Sequence, residues 1–150
     1  MGANPVVDRI ANFYPKGFVS IVRLLCFPIM DEVKNDLESR ADIERLVDMF
    51  YDKVRKDELI GPVFSHVDWP AHLPTMYKFW SSMMLGEMSY RGNPFQKHIN
   101  LAIETQHFAR WLEHFEATVD ENFSGPRATE IKQRAQSIAG IFQHRLGLIG

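Results

Sequence analysis

The stretch DIERLVDMFYDKV, residues 42–54, decides the fold class of this 150-residue chain. Its apolar positions on one side are Ile43, Leu46, Val47, Phe50 and Val54. Spacing of i, i+3, i+4, i+7 and i+11 places such side chains on one face of an α-helix. Ser39 or Asp42 can cap the start of this helix, and Gly61-Pro62 sets its latest end. The stretch therefore predicts a long helix with one buried face.

Three further stretches repeat the helical spacing, so the sequence predicts an all-α fold with four long helices. The second helix runs to Gly86, the third is closed by residues 122–126, and the fourth ends at Gly147. Their apolar positions are Leu73, Met76, Tyr77, Trp80, Met83 and Met84, then Phe108, Trp111, Leu112, Phe115 and Val119, then Ile131, Ala135, Ile138, Ala139, Phe142 and Leu146.

Prolines and turn residues interrupt the pattern around two histidines. Pro70 suits a first helical turn, but Pro74 would remove a backbone hydrogen bond from a helix already begun. We therefore expect irregular backbone around His72. Residues 90–94, Tyr-Arg-Gly-Asn-Pro, are typical of a turn, and the segment 95–101 that follows has room for one or two helical turns. This short element carries His98.

Composition narrows the class of protein. The chain is 45% hydrophobic and 24% charged, which is typical of a single soluble globular domain. Its net charge of −2 lacks the basic excess of a nucleic-acid binder, so no nucleic-acid partner is expected. One cysteine, Cys26, excludes an intramolecular disulfide framework. We expect a cytoplasmic protein.

The N-terminal region differs from the rest of the chain. We expect residues 1–40 to form a partly helical extension and residues 41–150 to form the main domain. The apolar stretch from Gly17 to Met30 has only 14 residues and contains Arg23 and Pro28. A transmembrane helix needs about 20 apolar residues, so no transmembrane segment is expected. The extension could cover the core, pair with a second subunit or contact a membrane surface, and we favour the first two.

Motifs of several common enzyme classes are missing from the sequence. Six histidines are present, but no pair has the spacing of a compact zinc site. No Gly-x-Ser-x-Gly elbow or Gly-rich phosphate loop occurs. What remains is a set of aromatic and methionine side chains on the inner faces of short helices. Taken one by one, these are most simply core residues.

Their order along the chain says more than any single residue. Residues 50–57 read FYDKVRKD, 61–64 GPVF, 69–72 WPAH, 79–80 FW, 85–86 LG, 90–94 YRGNP, 97–98 KH and 107–112 HFARWL. With these motifs in this order, the chain resembles a truncated haemoglobin of the third group over residues 41–147. The resemblance implies a two-over-two helical sandwich that encloses haem b, with the N-terminal helical extension outside it.

The resemblance also implies roles for individual residues. His98 would be the proximal ligand of the haem iron, its other ring N–H held by a carbonyl or carboxylate. Tyr51 would donate a hydrogen bond to the distal ligand, and Trp111 would donate to that ligand or to Tyr51. His72 matches the distal histidine, which could gate the pocket or ligate iron directly. The expected wall residues are Phe50, Phe64, Met76, Trp80, Phe95, Leu101 and Phe108.

The remaining assignments have weaker support from the sequence. Arg91, Lys97 and Arg110 are expected to pair with the haem propionates on the basis of charge alone. Ala102 stands where relatives often have proline, which leaves the connection after the proximal segment less rigid. His66, His107, His114 and His144 have no assigned role.

The function implied is binding of O2, NO and CO for redox chemistry, such as nitric oxide dioxygenation or a peroxide reaction, rather than O2 transport. The chain carries no flavin or nicotinamide motif, so a separate electron donor or reductase is expected. A haem-based gas or redox sensor is the alternative, and a helical domain that has lost haem is a third interpretation. The sequence leaves the choice between monomer and homodimer open.

Overall fold

The computed structural model describes residues 33–150, so the interpretations that concern residues 1–32, including Cys26, lie outside the described residues. The four long helices are α1 (Arg40–Lys56), α2 (Trp69–Leu85), α3 (Thr105–Asn122) and α4 (Pro126–Arg145). Two 3-10 helices, Gly61–Phe64 and Pro94–Lys97, precede α2 and α3. No strand occurs within residues 33–150, and the predicted all-α fold is confirmed. No helix in this part of the chain has the length and apolar character needed to cross a membrane.

The ends of α1 and α2 follow from local sequence chemistry. Ser39 caps α1 in a reciprocal arrangement: its Oγ accepts from the backbone N–H of Asp42 at 3.2 Å, and Asp42 Oδ2 accepts from the Ser39 N–H at 2.9 Å. Helix α2 ends where Gly86 adopts a φ of 70°, which glycine reaches without steric cost. Both ends agree with the sequence predictions.

Helix α2 passes through the two prolines without a break, so the expectation of irregular backbone around His72 is wrong. The His72 N–H donates to the Asp68 carbonyl at 2.9 Å, as in a regular helix. Pro74 is the sixth residue of α2 and is exposed to solvent. Its missing N–H therefore removes a single bond near the helix start, which the rest of α2 tolerates. His72 consequently lies on a regular helix.

The core is a layer of aromatic rings between the helices. Helix α1 packs against α2 and α3, and α3 packs against α4. Trp80 stacks on Phe115 with ring centroids 4.8 Å apart, and Phe50 meets Phe115 edge-on at 5.1 Å. All three rings are buried. A second cluster consists of Phe95, Phe108, Ala139 and Phe142, and it joins the second 3-10 helix to α3 and α4.

Residues just before α1 also belong to this packing. Leu37 is fully buried, and both carboxylate oxygens of Asp36 accept backbone N–H groups at the start of α4, from Ala128 at 2.8 Å and Arg127 at 2.9 Å. Burial opposes the charge of Asp36, but these bonds outweigh it and hold the pKa of Asp36 below its usual range. Gly125 has a φ of 143°, and a Cβ there would lie 2.5 Å from the Asp36 carboxyl carbon. Only glycine therefore fits at position 125, where the backbone comes close to the Asp36 carboxylate.

Candidate functional site

A cavity of about 600 Å³ opens among the helices and the two 3-10 segments. This volume lies within the range of roughly 300–1,000 Å³ that small-molecule and cofactor sites occupy. Most of its lining is apolar. Nine of the predicted site residues line it together: Tyr51, Phe64, His72, Met76, Trp80, His98, Leu101, Phe108 and Trp111.

Two predicted wall residues, Phe50 and Phe95, are not part of the lining. Phe50 is fully buried behind the wall, with ring centroids 4.8 Å from Tyr51 and 5.4 Å from Trp111. Neighbouring residues on a helix point about 100° apart, so Tyr51 and Phe50 face different sides of α1. Phe95 turns into the second cluster and meets Phe142 edge-on at 5.4 Å. Both phenylalanines support the wall from outside the cavity.

His98 is held in one orientation and one tautomer. It follows the second 3-10 helix, whose start is capped by Asn93 through a bond from the Phe95 N–H at 3.1 Å. The His98 Nδ1 lies 2.7 Å from the Pro94 carbonyl oxygen. A carbonyl only accepts, so Nδ1 donates and the lone pair resides on Nε2. The Phe142 ring packs against the imidazole at 4.9 Å between centroids.

The protonation state of His98 suits a metal ligand. Burial lowers the pKa of His98 below its ordinary value, although the bond to Pro94 acts in the opposite direction. The imidazole is therefore neutral near pH 7 and keeps the Nε2 lone pair. The resemblance implied that a carbonyl or carboxylate accepts a hydrogen bond from the other ring N–H. The Pro94 carbonyl oxygen is this acceptor.

Tyr51 and Trp111 bring hydrogen-bond donors to the cavity. Tyr51 is 5% exposed, and burial raises the pKa of its phenol far above the usual value, so the O–H stays protonated. Within residues 33–150, neither the Tyr51 hydroxyl nor the Trp111 indole N–H forms a hydrogen bond. Buried polar groups normally have partners. As far as the described residues go, both donors are therefore available to a ligand in the cavity that they line.

His72 lies in the cavity wall on α2, with Met76 one turn later on the same face. Its ring is 5.9 Å from the Tyr51 ring and 5.8 Å from the Trp69 ring, between centroids. Burial, with the nearby His98 as a smaller influence, lowers the pKa of His72. A neutral imidazole in this position fits either role that the sequence left open.

The three basic residues expected at the propionates separate into two groups. Arg91 and Lys97 line the cavity and are exposed to solvent. Arg110 is outside the lining, and its guanidinium lies 3.6 Å from Asp57 and 3.1 Å from Glu113. Only Arg91 and Lys97 are therefore placed to meet an acidic group in the cavity.

Several lining residues were not predicted from the sequence to belong to the site. They include Thr75, Phe79, Tyr90, Ile138, Ala139 and Phe142. The last three belong to the apolar face of α4, and nothing in their spacing separates a cavity wall from a core.

Of the histidines left without a role, His107 caps α3 by accepting the Glu104 N–H on Nδ1 at 2.9 Å. His114 bonds to Asp57.

Comparisons with known proteins agree with this geometry. The family model described as bacterial-like globin matches residues 35–143. The group 3 truncated haemoglobin of Campylobacter jejuni is 36% identical over 121 residues, which cover 76% of this chain and 95% of that protein. The crystal structure of the group III truncated haemoglobin from C. jejuni superposes with a TM-score of 0.69 at 37% identity, over 75% of this chain and 94% of the other.

A more distant structure shows the same fold. The 2/2 haemoglobin from Synechococcus sp. PCC 7002, solved in the cyanomet state and with covalently attached haem, gives a TM-score of 0.64 at 22% identity. The match covers 74% of this chain and 94% of that one. With the helical sandwich and the relatives in agreement, this chain belongs to the bacterial-like globin family, as a truncated haemoglobin of group III.

Proposed function

We propose that this protein binds haem b in the 600 Å³ cavity with His98 Nε2 as the protein ligand of the iron, and uses it for redox chemistry on diatomic ligands. The observation that carries the proposal is the bond of 2.7 Å between His98 Nδ1 and the Pro94 carbonyl. It leaves a neutral imidazole with its Nε2 lone pair in the cavity. Haem supplies an iron that changes oxidation state and takes O2, NO or CO as a ligand.

The remaining walls fit a flat, largely apolar group. Met76, Trp80 and Phe108 offer apolar surface, and burial of such surface contributes roughly 25 cal/mol per Å². Lys97 and Arg91 are cations at the exposed part of the lining, where the carboxylates of the cofactor would find partners. The chain therefore provides both apolar contact and charge for haem.

The two free donors support redox chemistry over oxygen delivery. The Tyr51 O–H and the Trp111 N–H would stabilise partial negative charge on a diatomic ligand, and such bonds are stronger in a dry cavity than in water. Slow ligand release follows, which is unsuited to rapid delivery. We propose nitric oxide dioxygenation or a peroxide reaction, with electrons supplied by a separate donor.

The haem proposal is tested by absorption spectra of the reconstituted protein in ferric, reduced and CO-bound forms. We expect stoichiometric haem uptake and a globin-type CO spectrum in the wild type, and loss of both in His98→Ala. His66→Ala is the matched control, because His66 lines the same cavity without an assigned role. Equal haem uptake by His98→Ala and the wild type would overturn the proposal.

The redox proposal is tested by consumption of nitric oxide by the O2-bound protein in the presence of a generic chemical reductant. We expect repeated turnover at a rate well above that of free haem. A single stoichiometric reaction with no turnover, together with ligand-dependent protection of the chain from protease, would contradict it and favour a sensor.

A further inference from the structure

We propose that Asp57 is a positioning residue for the two distal donors, acting through a clamp that joins the end of α1 to α3. The Asp57 clamp consists of Asp57, Arg110 and His114. The proposal rests on the proposed function in one respect: it takes Tyr51 and Trp111 to donate to a ligand in the cavity. None of the three clamp residues lines that cavity.

The carboxylate of Asp57 holds two parts of the chain at once. Oδ1 accepts the backbone N–H groups of Leu59 and Ile60, both at 2.9 Å, which fixes the turn after α1. Oδ2 accepts from His114 Nε2 at 2.8 Å and lies 3.6 Å from Arg110 Nε. The Asp57 side chain is only 12% exposed, so these bonds are weakly screened by solvent.

The charge of Asp57 is stabilised by the same bonds. Burial opposes ionisation, but the N–H groups of Ile60 and Leu59 and the His114 ring outweigh it, so the pKa of Asp57 is held below its usual range. Asp57 is therefore ionised near pH 7 and accepts on both oxygens. Two partners, Arg110 and His114, come from α3, and the other two come from the turn.

The clamp is close in sequence to both donors. Trp111 lies on α3 between Arg110 and His114, and Tyr51 of α1 precedes Asp57, the C-cap of that helix, by about 1.7 turns. Ile60, whose N–H the clamp holds, is 1% exposed and lines the cavity. Movement of α3 relative to this end of α1 would change the separation of the phenol and indole donors.

A second link between the same helices provides a comparison. Lys53 of α1 pairs with Glu121 near the end of α3, with side chains 30% and 58% exposed. Exposed ion pairs of this kind contribute little to the stability of the fold. Trp111 lies one residue from Arg110 and three from His114 but ten from Glu121, so the two links should differ in their effect on the position of the indole donor.

The test compares four variants of the haem-loaded protein. Asp57→Asn keeps one oxygen for the turn but replaces the acceptor of His114 with an amide. His114→Leu removes the donor, and His114→Gln restores an N–H at about the position of Nε2. Lys53→Met removes the exposed link and is the matched control. The readouts are the C–O stretching band of the CO complex, the O2 dissociation rate, the Trp111 indole N–H signal by NMR, and the urea midpoint.

We expect Asp57→Asn and His114→Leu to shift or split the C–O band and move the Trp111 signal. They should speed O2 dissociation roughly two- to tenfold, the effect of losing one ordinary hydrogen bond. His114→Gln should return the band and the rate to near wild type, and Lys53→Met should leave both unchanged. Lower urea midpoints with an unchanged band, rate and Trp111 signal would overturn the proposal, because the clamp would then serve folding alone.

Two further comparisons distinguish a failure of this proposal from a failure to fold and from a failure of the proposed function. If Asp57→Asn does not fold, the His114→Leu and His114→Gln pair decides the question by the same readouts. If Tyr51→Phe leaves the C–O band and the O2 rate at their wild-type values, the donor role in the proposed function fails. The clamp is then judged by the Trp111 signal, and a signal unchanged in His114→Leu overturns it.

Discussion

Tyr51 combines a buried aromatic ring with a hydroxyl that is available to a ligand in the cavity. Its side chain is 5% exposed, yet its hydroxyl has no acceptor within residues 33–150. Among the described residues, Ser81 Oγ is the only fully buried side-chain polar atom without a partner, so the Tyr51 hydroxyl is open to the cavity that its residue lines. A ligand in the cavity that accepts from the phenol gains a hydrogen bond worth about 0.5–1.5 kcal/mol.

Replacement of Tyr51 by Phe should therefore speed O2 dissociation, because the donor is lost while the ring and its packing remain. A hydrogen bond of ordinary strength corresponds to a change of roughly two- to tenfold. The measurement is O2 displacement by CO in a stopped-flow instrument. Tyr77→Phe is the control, since the Tyr77 hydroxyl bonds to Asp48 outside the cavity. An equal rate in Tyr51→Phe and wild type would remove Tyr51 from its role.

Residue types and order predicted much of the site, but not its hydrogen bonds. The motifs around Tyr51, His98 and Trp111 were sufficient to bring these residues to one cavity. They did not reveal Pro94 as the partner of His98, because that contact depends on the 3-10 geometry of the segment. The bond between Asp57 and His114 joins residues 57 positions apart, and no periodic pattern links such positions.

At the scale of elements, Pro74 shows how little one missing bond disturbs a long helix. Pro74→Ala should stabilise the protein by about 1–2 kcal/mol, since a helix interior disfavours proline by about 3 kcal/mol and the unfolded chain regains some entropy. The measurement is urea denaturation. Pro70→Ala is the control, because Pro70 lies in the first turn, where no helical bond is missing. A fall in the midpoint of Pro74→Ala would contradict this reasoning.

Asp36 gives an element-scale prediction that depends on pH. Asp36→Ala removes the acceptor for the first N–H groups of α4 and should cost about 1 kcal/mol at pH 7. The pKa of Asp36 is lowered in the folded state, so its stabilisation is complete above the ordinary value of about 4 and is lost as the pH falls through the folded value. Urea midpoints of wild type and Asp36→Ala should converge in acid. A difference that stays constant down to pH 3 would contradict the assignment.

The helices were more predictable than their cavity-facing sides. Capping by Ser39 and the left-handed Gly86 are local effects, and the sequence shows both. Whether an apolar residue faces the cavity or the core depends on how helices pack. Phe50 and Tyr51 are neighbours in sequence and both are buried, but they face different sides of α1 and only Tyr51 lines the cavity. To predict which of the two residues lines the cavity, one must know where α3 packs against α1. The apolar periodicity of α1 gives no information on this.

For the whole molecule, the main question is where the globin domain begins. Residues 34–150 form one compact unit, and within it Leu37 is fully buried and Asp36 caps α4. Lys34 also donates to the Asp120 carbonyl at 2.6 Å. Removal of residues 1–32 would therefore spare these contacts, whereas removal of residues 1–40 would delete all of them together with the Ser39 cap.

We expect the protein without residues 1–32 to bind haem with an unchanged spectrum and to unfold as a unit. Removal of residues 1–40 should lower the free energy of unfolding by about 4 kcal/mol further, of which the buried Leu37 contributes roughly 2 kcal/mol and the Asp36 and Ser39 caps about 1 kcal/mol each. Urea denaturation compares the two forms, and size-exclusion chromatography of both against the full chain tests whether residues 1–32 pair subunits. Equal stability of the two truncated forms would show that Asp36 and Leu37 contribute nothing to the domain. A dimer that persists without residues 1–32 would place the subunit contact in the globin domain itself.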